Sequence, residues 1–216
     1  MDLEKMDDFF TKRINSYEDQ MLNNVEGCRE GYKKIADFIP KHCKNLLDLG
    51  CGTGLELKYV FKRFPNMLVT GIDYTKIMLD KLYENYPKKN IDLICGDYFK
   101  VAFGTEKYDC VISFQTMHHF THEAKISLYK KVRNALKNYG CYIECDYVAK
   151  DLTEENFFFA EANKIRKEKN ISPDMLIHYD TPCCSETQIK LLSAAGFSVY
   201  RKLWKLGQTA IFKAEK

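Results

Sequence analysis

Apolar positions along this chain switch between two periods. Short apolar or β-branched runs occur at Asn45–Leu49, Leu68–Ile72, Ile91–Cys95, Tyr108–Phe114 and Cys141–Cys145. Between them, apolar residues recur every three or four positions. Leu57, Val60, Phe61 and Phe64 make one stripe within Leu55–Phe64. Met78, Leu82 and Tyr86 make another within Ile77–Tyr86, and Leu128, Val132, Ala135 and Leu136 a third within Ala124–Leu136. Repeated strand–helix–strand units predict a parallel sheet with helices on both faces. Ligands bind such sheets at the carboxyl ends of the strands, so the residues just after each strand carry the interest.

The alternation stops near the end of the chain. Ser185-x-x-Gln188 has the spacing of a capping box for a helix running to Ala195, and Gly196 closes it. Two further strand-like runs, Phe197–Trp204 and Gln208–Phe212, are joined by only a few residues including Gly207. No crossover fits in that space, so the pair is antiparallel. Residues 1–40 read as helices leading into the first strand. Residues 147–184 form a long excursion after the fifth, with one expected helix (Thr153–Lys169) and an irregular stretch behind it. An excursion of that length at the ligand end of a sheet reads as a lid.

The densest chemistry lies in Leu46-Leu47-Asp48-Leu49-Gly50-Cys51-Gly52-Thr53-Gly54, between a strand and a helix. Glycines at alternate positions permit a sharp turn and let a ligand lie against the main chain, and the helix start behind them offers free N–H groups. A dinucleotide loop reads G-x-G-x-x-G, but here Leu55 stands where the third glycine belongs, and no Gly-Lys-Ser/Thr of a Walker loop follows. Nineteen residues beyond Gly54, at the end of the second strand, Asp73 is placed to accept both hydroxyls of a ribose, with Tyr74 beside it to flank a base. Gly96-Asp97-Tyr98 follows the third strand. Gln115-Thr116-Met117-His118-His119-Phe120 follows the fourth.

This order of motifs resembles the class I S-adenosyl-L-methionine (SAM)-dependent methyltransferases, most closely the small-molecule enzymes of the quinone-biosynthesis-like group. The likeness is close over residues 45–145. It implies an α/β fold: a Rossmann-like, doubly wound sheet of seven strands, mostly parallel, with a C-terminal antiparallel hairpin and a helical lid insertion. The whole, 1–216, is expected as one methyltransferase domain. It divides into N-terminal helices (1–40), a cofactor-binding core (45–146), the lid (147–184) and a C-terminal helix and hairpin (185–216).

The resemblance also implies roles. Gly50, Gly52 and Gly54, with Cys51 and Thr53 between them, would line the methionine part of SAM, and Asp48 would order the loop beneath it. Asp73 would bind the ribose, with Tyr74 and Met78 flanking the adenine. Asp97 would take the adenine amino group and the Tyr98 N–H the ring. Gln115 would lie beside the methionine ammonium. Tyr17 matches the aromatic that many relatives place on a mobile N-terminal lid.

The acceptor side is less defined. His118 is a candidate acid or base, since histidine titrates near neutral pH; His119 reads as a structural residue bonded to backbone. Glu144 and Asp146 share one face of the fifth strand, which leaves Asp146 at its end as a candidate to touch substrate. Phe158, His178 and Tyr179 are the lid's candidate pocket residues. The implied reaction is methyl transfer from SAM to a small-molecule acceptor. A non-catalytic SAM-binding regulator and a methyltransferase acting on RNA or protein are the competing readings.

Composition narrows this further. The chain is 45% hydrophobic and 29% charged, the balance of a soluble globular protein. Its 33 basic and 30 acidic residues leave a net charge of +3, too even for an extended nucleic-acid surface. No apolar run reaches the roughly 20 residues of a membrane helix, and Met1–Lys5 does not open a secretory signal. Nine cysteines, an odd number and several inside apolar runs, read as buried thiols of a reduced, cytoplasmic protein, monomeric or homodimeric. No metal site is expected. Cys141 and Cys145 would lie about 13 Å apart along a strand, and His178, Cys183 and Cys184 lack ligand spacing.

Overall fold

The computed structural model describes residues 4–172 and 175–216. Positions 1–3 of the N-terminal region and 173–174 of the lid lie outside the described residues.

Seven strands form one sheet in the order β3-β2-β1-β4-β5-β7-β6. They are β1 (Asn45–Leu49), β2 (Leu68–Asp73), β3 (Ile91–Cys95), β4 (Tyr108–Phe114), β5 (Leu136–Tyr147), β6 (Val199–Leu206) and β7 (Thr209–Glu215). β1 to β5 are parallel, and β7 alone runs against its neighbours β5 and β6. The helices are α1 (Met6–Asn23), α2 (Cys28–Phe38), α3 (Leu57–Arg63), α4 (Lys76–Asn85), α5 (His122–Ala135), α6 (Leu152–Glu168) and α7 (Ser185–Ala194).

Period-two alternation sorts each strand onto two cores. Leu47, Val111, Tyr142 and Phe212 point to one face and pack with Leu128 and Val132 of α5 and Leu192 of α7. Leu46, Ile112, Ile143 and Ile211 point to the other, against Ile35 of α2, Val60 of α3 and Leu82 of α4. Burial on both faces explains why the central strands read as continuous apolar runs.

Two local expectations give way to tertiary contacts. The capping box does not form: no side chain caps α7, and Gln188 is buried, its amide bonded to Lys125 Nζ at 3.0 Å and to the Tyr129 hydroxyl at 2.8 Å. Leu136, expected at the end of a helix, opens β5 instead, because its backbone pairs with Tyr108 ahead of a register shift. Gly196 does close α7 in the left-handed region, at φ +90°. Among the described residues no helix is long and apolar enough to cross a membrane.

Candidate active site

The chain leaves β1 through three left-handed glycines, Gly50, Gly52 and Gly54, at φ +69°, +48° and +78°. A Cβ at Gly50 would stand 2.7 Å from Thr116 Oγ1, so packing alone demands glycine there. At Gly52 the nearest atoms are Tyr17 Oη at 3.5 Å and Met78 Cε at 3.6 Å, both across a cavity. Gly50 and Gly52 are the loop glycines that line this cavity.

The ends of β2 and β3 each add a carboxylate held by backbone. Asp73 accepts from the Gly52 N–H at 2.9 Å and the Thr75 N–H at 2.8 Å, one to each oxygen. Burial raises its pKa against the pull of those N–H groups. Every carboxylate oxygen keeps a further lone pair, so a vicinal diol can still be bound. Asp97 accepts from the Phe99 N–H at 2.8 Å. Gln115 sits at φ +51°, its amide fixed by Cys28 Sγ and Thr209 Oγ1, both at 3.2 Å. Together with Gly50, Tyr74, Met78, Tyr98 and Tyr17 these residues line a cavity of about 620 Å³, its open mouth included. Its polar wall offers acceptors for hydroxyls and an amine, beside Gly50 and Gly52. That set of acceptors fits the nucleoside of SAM.

Beneath the loop lie two buried carboxyls, Asp48 and Glu56. Burial raises both, and the charge of Glu56 raises Asp48 further; Glu56 is pushed up to about 7. Two such groups side by side retain a proton at neutral pH.

A second cavity, about 1270 Å³ with its open solvent, adjoins the first, and Phe10, Tyr17, Gln115 and His119 line both. Phe9 and Arg13 of α1, His118, Tyr147, His178 and Asp180 complete much of its wall. Two backbone bonds tie the start of α1 to the lid: Met6 N–H to Leu176 O at 3.2 Å and His178 N–H to Glu4 O at 3.0 Å. The His178 ring stacks on Phe9 with centroids 3.5 Å apart, and the Arg13 guanidinium lies over the other part of the same wall, 3.8 Å from the Phe9 centroid and paired with Glu4.

His118 is the buried centre of this wall. Its Nδ1 lies 2.6 Å from Asp146 Oδ1, and its Nε2 3.6 Å from Asp180 Oδ1. Burial pushes the imidazole down, the charges of Asp146 and Asp180 push it up, and the net shift is upward. Asp146 fixes the proton of the neutral ring on Nδ1, which leaves the lone pair on Nε2. His119 differs. It donates from Nδ1 to the Tyr179 carbonyl at 3.3 Å, and burial with the neighbouring His118 and His178 holds it well below the usual range.

Several expected residues stand elsewhere. Asp48, Cys51, Thr53 and Gly54 do not line the first cavity. Cys51 turns its sulfur toward Gly71, and Asp48 lies one layer down. Asp146 does not reach the second cavity but stands behind His118. Phe158 packs beside Tyr147, with centroids 6.2 Å apart, outside the wall. Tyr179 faces a third cavity, with Phe159 and Arg166. Sequence reasoning missed Phe9, Phe10, Arg13, Thr116 and Glu56. The i, i+4 spacing of Phe9 and Arg13 is the one local signal that pairs them on a helix face.

A family model described as a methyltransferase domain matches residues 46–140. The malonyl-[acyl-carrier protein] O-methyltransferase of Priestia megaterium is 30% identical over 92 residues, 42% of this chain and 33% of that protein. The 3-O-methylredipecamine 2-O-methyltransferase IpeOMT3 of Carapichea ipecacuanha is 28% identical over 171 residues, 76% of this chain and 44% of that protein. The chain thus spans between a third and a half of the length of these curated relatives. Human N-acetylserotonin methyltransferase, solved with SAM, superimposes with a TM-score of 0.66 at 16% identity, covering 88% of this chain and 52% of that one. Residues 46–140 thus match the methyltransferase-domain model, and the strand order is the fold of the solved methyltransferase that superimposes on the chain.

Proposed function

We propose that this protein transfers a methyl group from SAM to an oxygen of a small molecule, with His118 as general base and Asp146 as its positioning residue. The observation that carries the reading is the buried His118–Asp146 pair, held through Nδ1, on the wall of the second cavity, which adjoins the first. In this reading Asp73 binds the ribose diol, Asp97 the adenine amine, and Gly50 and Gly52 the cofactor's main-chain side.

SAM supplies a methyl group already labile on its sulfonium, so the chain's task is alignment. Holding donor and acceptor in line can supply roughly 7–11 kcal/mol of barrier lowering. A hydroxyl attacks poorly while it keeps its proton. His118 Nε2 takes that proton as the oxygen attacks, and Asp146 stabilises the resulting imidazolium. Positioned bases of this kind contribute about 10²–10⁴-fold. α1 and residues 175–181 wall the acceptor cavity and exclude water from the encounter. The names of two of the curated relatives, each an O-methyltransferase, support an oxygen acceptor.

The test is turnover of methyl-labelled SAM with a panel of phenols, alcohols and carboxylates, the product read by mass spectrometry. An O-methylated product formed by the native protein and lost in His118→Gln, with SAM affinity kept, supports the reading. Full activity of His118→Gln, or methylation confined to nitrogen or carbon, overturns it.

A further inference from the structure

Outside both cavities, three segments distant in sequence bring one nitrogen, one oxygen and one sulfur together. His122 opens α5, Glu155 lies on the lid helix α6, and Cys183 precedes α7. His122 Nε2 is 2.9 Å from Glu155 Oε1, and these atoms and Cys183 Sγ all lie within 4.8 Å of one another.

Glu155 is the one buried residue of α6, on a helix otherwise half-exposed. Burying an ionised carboxylate costs several kcal/mol unless it is matched by charge and hydrogen bonds. The match here is specific. Oε2 accepts from the Cys184 N–H at 2.7 Å, which orients the carboxylate and turns Oε1 toward His122 and Cys183. Cys184 itself faces Thr187 at 3.4 Å, so only one of the adjacent cysteines joins the cluster. Burial pushes the Cys183 thiol up to about 11, against the pull of the Lys125 ammonium 3.5 Å from its Sγ, so a metal that takes this sulfur displaces its proton.

We infer that His122, Glu155 and Cys183 form a binding site for a divalent transition metal, zinc foremost, that ties the lid helix to the core. An imidazole, a carboxylate and a thiolate are the three ligand types zinc uses. Bond lengths of about 2.0–2.1 Å to N and O and about 2.3 Å to S set tetrahedral donors roughly 3.3–3.6 Å apart. The His122–Glu155 contact therefore opens by about half an ångström, a small change for two side chains. The donor atoms His122 Nε2 and Glu155 Oε1 are themselves buried, as is Cys183, so the proposed ion would be shielded by the protein, with its fourth position left to one water. The donors are 33 and 28 residues apart in sequence, which is why no short spacing announces them.

The experiment uses the full chain, stripped with chelator and titrated with zinc by calorimetry, and with cobalt(II) by absorbance. One equivalent is expected to bind, to raise the melting temperature, and to give a thiolate-to-cobalt charge-transfer band. Cys183→Ser is expected to lose that band and Cys95→Ser, at an exposed thiol, to keep it. His122→Gln, at a partly exposed position that threatens folding least, is expected to weaken zinc binding at least tenfold and abolish the rise in melting temperature, with SAM affinity unchanged. If zinc does not bind, or binds equally to Cys183→Ser and His122→Gln, or the band follows Cys95, the cluster is only a His122–Glu155 ion pair and the inference falls.

Discussion

The two cavities are built in different ways. The walls of the first come largely from consecutive strand ends between Gly50 and Thr116, and backbone N–H groups of the next turn fix its carboxylates Asp73 and Asp97. The second is assembled from α1, the loop after β4 and residues 178–180, and among the described residues its halves meet through two backbone bonds and the contacts of the His178 ring with Phe9 and Phe10. The fold itself sets the first in place. The second depends on segments some 170 residues apart staying closed, and regions with so few internal ties open at low free-energy cost. One half is suited to recognising a constant ligand, and the other to admitting and sealing in a variable one.

The largest expected effect separates the halves by chemistry. His118→Gln should lower kcat by about 10²–10⁴-fold with SAM affinity unchanged, because only the proton acceptor is lost. A drop in SAM affinity of the same size would show that His118 belongs to the first cavity instead. Asp73→Ala should do the reverse, weakening SAM by about 1–3 kcal/mol, as an unpaired diol in a partly dry site requires. Equilibrium binding of SAM to the folded variant checks it, and unchanged affinity refutes the ribose assignment.

Asp146→Asn should shift a pH profile. His118 is raised above its ordinary pKa of about 6.5, so the native protein gains its base as pH rises through that raised value. Removing the carboxylate lowers the histidine, so the ascending limb of kcat/KM should move to lower pH while the plateau falls. A profile that keeps its midpoint removes Asp146 from the role of positioning residue.

His178→Ala breaks the stack on Phe9. It should raise the acceptor KM about tenfold or less, leave SAM binding intact, and speed hydrogen exchange over α1 and residues 175–181 relative to the strands. Equal exchange in both proteins would mean the two segments are not a coupled gate. The smallest effect lies under the glycine loop. Glu56, at about 7 in the folded state against an ordinary 4.5, binds more protons folded than unfolded between those values. Native stability should therefore fall as pH rises from about 5 to 8, and Glu56→Gln should flatten that slope in melting curves.

The comparison also marks what was readable in advance. The pattern located β1, β3 and β4, and the loop and acids that line the first cavity, because those features are local: a period, a glycine, an acid at a strand end. It misplaced Asp146 because alternation gives the face of a strand but not the side chain lying between it and a cavity; His118 lies there. It misread Gln188 because cap spacing is local, whereas Lys125 and Tyr129 approach from another helix. It missed Arg13 and Phe9 because nothing on α1 says which segment covers it.

The sequence by itself determined the strand–helix alternation, the antiparallel tail and the class of nucleotide loop, since backbone sterics and hydrophobic period act over a few residues. Only the tertiary structure decided that His118, and not His119, pairs with Asp146 through Nδ1 while both line the second cavity. It also decided that Asp48 and Glu56 share a buried layer, and that His122, Glu155 and Cys183 converge. Each of these depends on side chains from separate elements meeting within a few ångströms, and chain closure over long loops fixes such meetings where local preference cannot.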